Sequence, residues 1–221
     1  IDSRLLSDNF LNSNVLAIKN SGHFGTGKSY SLDICTKIYP DDAYYMIMNG
    51  SAKSLYYLPG GLKNKCLIVT EAFQFQENNA TDSELVYITR SLISEGRIRY
   101  CVVEKDEDGK LITVEKILEG PTSFITTTIM ENLEEQLEDR LFSIHPDEGI
   151  QQTKDIISMT AEQRDGTFEG LDVKTIETWK HYHSLLKPVE VVIPFAKYIS
   201  KFINRNKSVP VSTRRAFKRV L

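Results

Sequence analysis

Residues 22–29 read Gly22-His23-Phe24-Gly25-Thr26-Gly27-Lys28-Ser29, a glycine, four residues, then Gly-Lys-Ser. Before them, Asn14 to Asn20 form a short apolar run of strand type. After them, Lys28 to Ile38 can continue as a helix that Pro40 ends. Strand, glycine-rich turn and helix in that order make a phosphate cradle. Gly22, Gly25 and Gly27 let the backbone curl so that its N–H groups converge on an anion, and a side chain at Gly27 would crowd the phosphates. The helix adds its positive N-terminal end at the same place. Lys28 reaches the β- and γ-phosphates, and the Ser29 hydroxyl can bind Mg2+. His23, Phe24, Thr26 and Tyr30 complete the expected nucleotide contacts, with His23 at a position that tolerates many residue types. ATP with Mg2+ is the expected ligand.

A P-loop needs an acidic partner at the end of a neighbouring strand, and Leu67-Ile68-Val69-Thr70-Glu71 supplies one. Glu71 can polarise or position the attacking water. The residue before it is usually an acid that supports the metal through water; here it is Thr70, a weaker support that predicts slow turnover. A plain strand-end carboxylate is the alternative reading of Glu71.

Working outward, Tyr44 to Met48 reads as a second strand and Ser51 to Leu58 as a helical segment broken by Pro59-Gly60-Gly61. Cys66 to Val69 is a buried strand. Asp82 to Glu95 places Leu85, Ile88, Leu92 and Ile93 on one helical face, ended by Gly96. Ile98 to Lys105 and Leu111 to Leu118 alternate around Asp108-Gly109, a hairpin-turn dipeptide. Ser123 to Thr127 is a further strand, Leu133 to Asp139 a short acidic helix and Leu141 to Ile144 a last strand. Five core strands alternating with helices imply an α/β fold with a mainly parallel sheet. From about residue 148 the pattern is helical, near 151–164, 173–186, 195–203 and 212–221. The expected division is a nucleotide-binding core over 1–147, with a hairpin inserted at 98–118, and a small helical lid over 148–221.

The net charge of −3 gives no global basic field, so any contact with nucleic acid must be local. No run of 18 apolar residues suggests a membrane span. Cys35, Cys66 and Cys101 are scattered and match no zinc spacing, which favours structural cysteines in a reducing, cytoplasmic setting. Tyr44, Tyr45, Tyr56 and Tyr57 read as core-edge aromatics. His181 and His183, two apart on a helix beside Trp179, face different sides and make a poor shared ligand site. Beginning at Ile1 and ending inside an expected helix, the chain reads as part of a longer protein.

With these segments in order, the chain resembles AAA+ ATPases. More closely, it is similar to the primase-helicase-type proteins of phages and bacterial mobile elements, whose motor resembles the minichromosome-maintenance helicases. The stretches that carry the resemblance are Leu92 to Tyr100, Phe124 to Thr128, Arg140 to Glu148 and Pro188 to Pro194. The resemblance implies a sensor-1 role for Thr127 or Thr128, although three threonines in a row also suit a strand. It implies an arginine finger at Arg140, which otherwise reads as a surface arginine paired with Glu135 or Asp139. It places sensor 2 at Arg215 or Arg214 in the lid, where a solvated basic face is the other reading. An arginine supplied in trans implies a homo-oligomeric, hexameric ring. In the resembling helicases the inserted hairpin tracks DNA in the channel, which would make Lys105 and Lys110 phosphate contacts. Residues 97–118 carry five basic and five acidic side chains, so a merely structural hairpin is the competing reading. The function implied is an ATP-hydrolysing DNA motor. The competing expectations are a nucleotide-dependent scaffold or loader with weak ATPase and a P-loop phosphotransferase.

Overall fold

The computed structural model describes residues 15–48, 52–71, 84–168, 170–187, 192–205, 208–210, 213, 214 and 217. Five strands form one sheet: β1 (Ala17–Ser21), β2 (Tyr44–Ile47), β3 (Lys65–Val69), β6 (Thr122–Thr128) and β7 (Phe142–Ile144), in the order β2-β3-β6-β1-β7. Every pairing in it is parallel. β4 (Arg97–Lys105) and β5 (Leu111–Glu119) pair separately as an antiparallel hairpin. The α/β core and the parallel sheet therefore agree with the sequence reading, with no strand limit shifted by more than three residues.

Helices cover both faces, which is why the inner strands are buried on both sides. Helix α1 (Lys28–Lys37) lays Leu32 on Cys66 and Ile68, with Tyr44, Met46 and Ile125 beside them. On the opposite face, α2 (Glu84–Glu95) and α3 (Glu135–Glu138) cover Ala17, Leu67, Val69 and Phe124. The helical spacing of Leu85, Ile88 and Leu92 becomes a packed stripe, each 3% exposed or less. Truncating any one of them to alanine costs about 2–5 kcal/mol. Arg90 of α2 ties α3 down through Glu134 at 3.2 Å and Gln136 at 2.9 Å. The segment expected to be helical near 51–58 is a 3-10 helix (Ala52–Tyr57).

The hairpin is rooted at Gly96 and Gly120, whose backbone bond measures 2.6 Å. Its inner face carries Ile98, Tyr100, Val102, Val114 and Leu118. Tyr100 stacks on Tyr56 with ring centroids 4.5 Å apart. Burial, then the nearby Glu84 carboxylate, pushes the Tyr56 hydroxyl up to about 12. The tip is not a two-residue Asp-Gly turn. Asp106 O accepts from Gly109 N, and the Asp106 carboxylate accepts from the backbone N–H of Asp108 and Lys110. A three-residue loop with Gly109 left-handed results, because Asp106 offers the backbone a local acceptor.

Other expectations shift as well. Tyr44 and Tyr56 pack at the core edge, whereas Tyr45 and Tyr57 are exposed. Of the cysteines only Cys66 is buried. Helices α4 (Ile150–Asp165), α5 (Val173–Leu185) and α6 (Ala196–Ile203) follow the predicted pattern, but none of their described residues is buried. Helix α5 touches the core through Lys180 and Asp41 at 3.1 Å and through His183 stacked on Tyr39. The helix expected over 212–221 lies largely outside the described residues. No helix among the described residues is long and apolar enough to cross a membrane.

Candidate nucleotide site

Gly27 caps α1 in the left-handed conformation at φ 81°, and Gly25 adopts φ 78°. A side chain is strained there whatever space surrounds it. An added Cβ at either position meets no protein atom within 4 Å, so the demand for glycine lies in the backbone itself. Gly22 differs from its expected role. Its φ is ordinary, and an added Cβ would sit 3.0 Å from Glu148 Oε1 and 3.1 Å from Pro146 Cδ. Thr26 Oγ1 of the curled loop would lie 3.2 Å from it as well, so Pro146, Glu148 and the loop itself together leave no room for a side chain at 22.

Lys28 Nζ donates to Gly22 O at 2.8 Å, to His23 O at 2.6 Å and to Thr26 Oγ1 at 3.4 Å. Beside it opens a cleft of about 400 Å³, lined by residues 24–30 of the loop and helix and by Glu71, Thr127, Thr128 and Ile129. The parallel register explains the convergence. β6 lies between β1 and β3, so the ends of all three strands meet the loop, and Gly22 N donates to Thr128 O at 3.3 Å. Glu71 stands just past β3 with left-handed backbone, φ 53°, which costs about 1–3 kcal/mol and marks a position held by its surroundings. Thr126 is spent on structure, donating to Val69 O at 2.9 Å. Thr128 Oγ1 accepts from Met130 N at 3.1 Å and so shapes the turn after β6. Thr127 lines the cleft and is also one wall of an apolar cavity between α1 and the sheet.

The structure thus gathers Phe24 to Tyr30, Glu71, Thr127 and Thr128 in one place, with a left-handed glycine pair and a helix N-terminus suited to phosphate. Other sequence candidates lie elsewhere. Thr70 does not line the cleft; its N–H is bonded to Ile47 O. Arg140 donates from Nε to Ser94 Oγ at 2.5 Å and from Nη1 to Gln136 O, bracing α3 on α2. Lys105 and Lys110 are exposed at the hairpin tip, remote in sequence and sheet from the cleft. Arg214 is exposed, and Arg215 lies outside the described residues.

Sequence reasoning missed three side chains at the loop's base. Glu148 accepts the His23 backbone N–H at 3.0 Å and faces His23 Nδ1 at 2.8 Å. His145 Nδ1 lies 3.1 Å from Ser21 O and 3.2 Å from Ser21 Oγ, so the ring sits against both oxygens of that residue. Lys19, 2% exposed in β1, is held by Glu131 O and Glu138. The backbone bond from His23, then the ring bond, hold the Glu148 carboxyl below its ordinary 4.5. A lowered folded pKa means the clamp contributes fully above 4.5 and is lost as pH falls through the folded value. A carboxyl 13C titration should therefore find the Glu148 midpoint below 4.5, and His23→Ala, which keeps the backbone donor, should raise it only part of the way.

A family model described as the MTBMA_p00010 P-loop domain matches residues 3–187. The chain belongs to that P-loop family. Nucleotide binding follows for this P-loop domain, in keeping with the loop geometry above. No curated protein matches the sequence. Among solved structures, "The apo structure of NrS-1 C terminal region (305-718)" is 14% identical with TM-score 0.35, over 89% of this chain and 49% of that one. "The A form apo structure of NrS-1 C terminal region-CTR" is 15% identical with TM-score 0.32, over 86% and 45%. The P-loop domain thus spans about half of those chains, and at such TM-scores neither likeness bears on fold or function.

Proposed function

We propose that this P-loop domain is the ATP-hydrolysing unit of a DNA motor, a replicative-type helicase subunit of the kind mobile elements carry. The observation that carries the hydrolytic part is the convergence of the phosphate loop, Glu71 and Thr127 on one cleft. Mg2+, held by Ser29, would screen the phosphate charge. Lys28 exchanges its loop carbonyls for phosphate oxygens, which keeps its ammonium fully hydrogen-bonded in both states. Glu71 orients the attacking water and takes up its proton, and Thr127 or Thr128 bonds the γ-phosphate or that water. Arg140, braced on α2 and absent from its own cleft, is the candidate to complete a neighbouring subunit's site in a ring. Arg214 or Arg215 would serve from the lid. Lys105 and Lys110 at the exposed tip of the hairpin would contact DNA phosphates.

The second reading is a nucleotide-dependent scaffold or loader that turns over slowly. Thr70 favours it, being a neutral residue bonded through its N–H to Ile47 rather than facing the cleft. One assay separates the two. Hydrolysis by the full-length protein is measured with and without single-stranded DNA over a salt series, and with Arg140→Ala mixed into wild type. A motor is expected to show stimulation of about tenfold or more at low salt that fades as salt rises. It is also expected to lose activity more steeply than dilution when mixed with the arginine variant. Hydrolysis indifferent to both DNA and mixing would remove the motor reading and leave the scaffold.

A further inference from the structure

The segment that follows β7 crosses the base of the phosphate loop and is fastened there twice. His145 bonds Ser21 O through Nδ1, and three residues later Glu148 takes hold of His23. Asp147 Oδ1 accepts Gly149 N at 2.8 Å, which turns the chain into α4. Gly22 lacks the Cβ that would push the Glu148 carboxylate away. We propose that Glu148 is a positioning residue for the phosphate loop, fixing the first turn of the loop through His23 in the form that accepts nucleotide. This role rests on the nucleotide reading of the cleft.

The two peptide units that meet at His23 are both pinned. Its N–H goes to Glu148, while its carbonyl receives Lys28 Nζ at 2.6 Å and Thr26 Oγ1 at 3.0 Å. When Lys28 turns to a phosphate it leaves that carbonyl and the one at Gly22. Thr26 and Glu148 are then what hold the two sides of His23, beside the Gly22 bond to Thr128 O. A loop free to rotate at His23 has to be ordered again each time nucleotide binds, at a cost in conformational entropy. The clamp removes that cost in advance. It also couples the loop to α4, whose first residue, Ile150, is two positions beyond Glu148.

The sign of the effect separates this role from a trivial one. A carboxylate near the phosphate site repels a polyanion, so on Coulomb grounds alone removing it would tighten binding. A positioning carboxylate does the opposite when removed. The titratable groups around it are those of the strap and the loop: Asp147, His145, His23 and Lys28.

The test uses the full-length protein, a fluorescent ATP analogue and ATP hydrolysis at pH 7.5. Glu148→Ala is expected to weaken binding about tenfold, because a charge-assisted bond and the order it imposes are both lost. Glu148→Gln keeps an acceptor for His23 N–H and is expected to stay within about threefold of wild type. Hydrogen exchange at the His23 amide should be slow in wild type and in Glu148→Gln, and fast in Glu148→Ala, with melting temperatures alike. Glu148→Ala binding as tightly as wild type or more tightly, while Lys28→Ala binds about 100-fold more weakly, overturns the positioning role alone. A wild-type protein that binds no nucleotide overturns both the nucleotide reading and this role.

Discussion

Lys28→Ala is expected to lower affinity for ATP about 100-fold and to bring hydrolysis to background. An ammonium placed on phosphate oxygens makes hydrogen bonds to charged groups, each contributing about 1.5–3 kcal/mol. Two such bonds give about 3 kcal/mol or more, and every 1.4 kcal/mol is about tenfold in affinity. The figure is held down because binding is an exchange. Before nucleotide arrives the same ammonium is satisfied by Gly22 O, His23 O and Thr26 Oγ1, and those bonds are given up. Lys28→Arg should rescue poorly, since a planar fork does not fit the two carbonyls that seat a compact ammonium. The fold should survive, because Lys28 lies outside both core clusters. Titration with a fluorescent nucleotide, with a thermal melt beside it, decides the matter. Binding within threefold of wild type at an unchanged melting temperature would remove Lys28 from the phosphate site.

The phosphate loop was legible because its chemistry is local. Glycine at 25 and 27 answers a backbone requirement that any sequence with this turn must meet, and Lys28 and Ser29 follow by adjacency. The strands were legible as short apolar runs, and α2 as a stripe of Leu85, Ile88 and Leu92 at helical spacing. Sheet order follows from the parallel pattern only once β6 is placed between β1 and β3, which no local window contains. For the same reason the contact of Glu148 with the loop escaped notice: its partner His23 is 125 residues away, and it stands among several acids of similar appearance. At Gly22 the sequence shows the loop but not the approach of Pro146 and Glu148, which leaves no mark near residue 22. Helix α6 shows where the information in periodicity ends. Its apolar residues recur at helical spacing and a helix forms, yet Tyr198 and Phe202 are more than two-thirds exposed, so the pattern did not identify a buried face. Lys19 is the sharpest case, since a lysine inside a strand that reads as buried had no visible partner in the sequence.

That lysine carries the second large effect. Lys19→Met is expected to destabilise the protein by about 3 kcal/mol, near the lower end of the range for breaking a buried ion pair. Lys19 is 2% exposed and donates to Glu131 O at 2.6 Å and to Glu138 Oε1 at 2.5 Å. Methionine fills much the same space, so the loss is mainly that of the cation rather than a cavity. It leaves Glu138 without its counter-charge, and the lower figure applies because that side chain is 26% exposed and reaches some solvent. Removing both charges, as Lys19→Met with Glu138→Leu, often restores stability for a buried pair. Here recovery should be partial. Glu138 Oε2 also accepts Leu133 N at 3.2 Å, and an orphaned, part-buried donor costs about 1–3 kcal/mol. Urea unfolding of wild type, single and double variants measures the cycle, and a single variant with an unchanged midpoint and slope would show that the pair contributes nothing. The consequence reaches beyond stability. Lys19 lies in β1 two residues before Ser21, Glu131 follows the turn beyond Thr128, and Glu138 is two residues before Arg140. One buried ammonium therefore ties the strand that feeds the phosphate loop to the helix that precedes Arg140. A variant that loses it should lose hydrolysis even where enough of the protein remains folded to bind nucleotide.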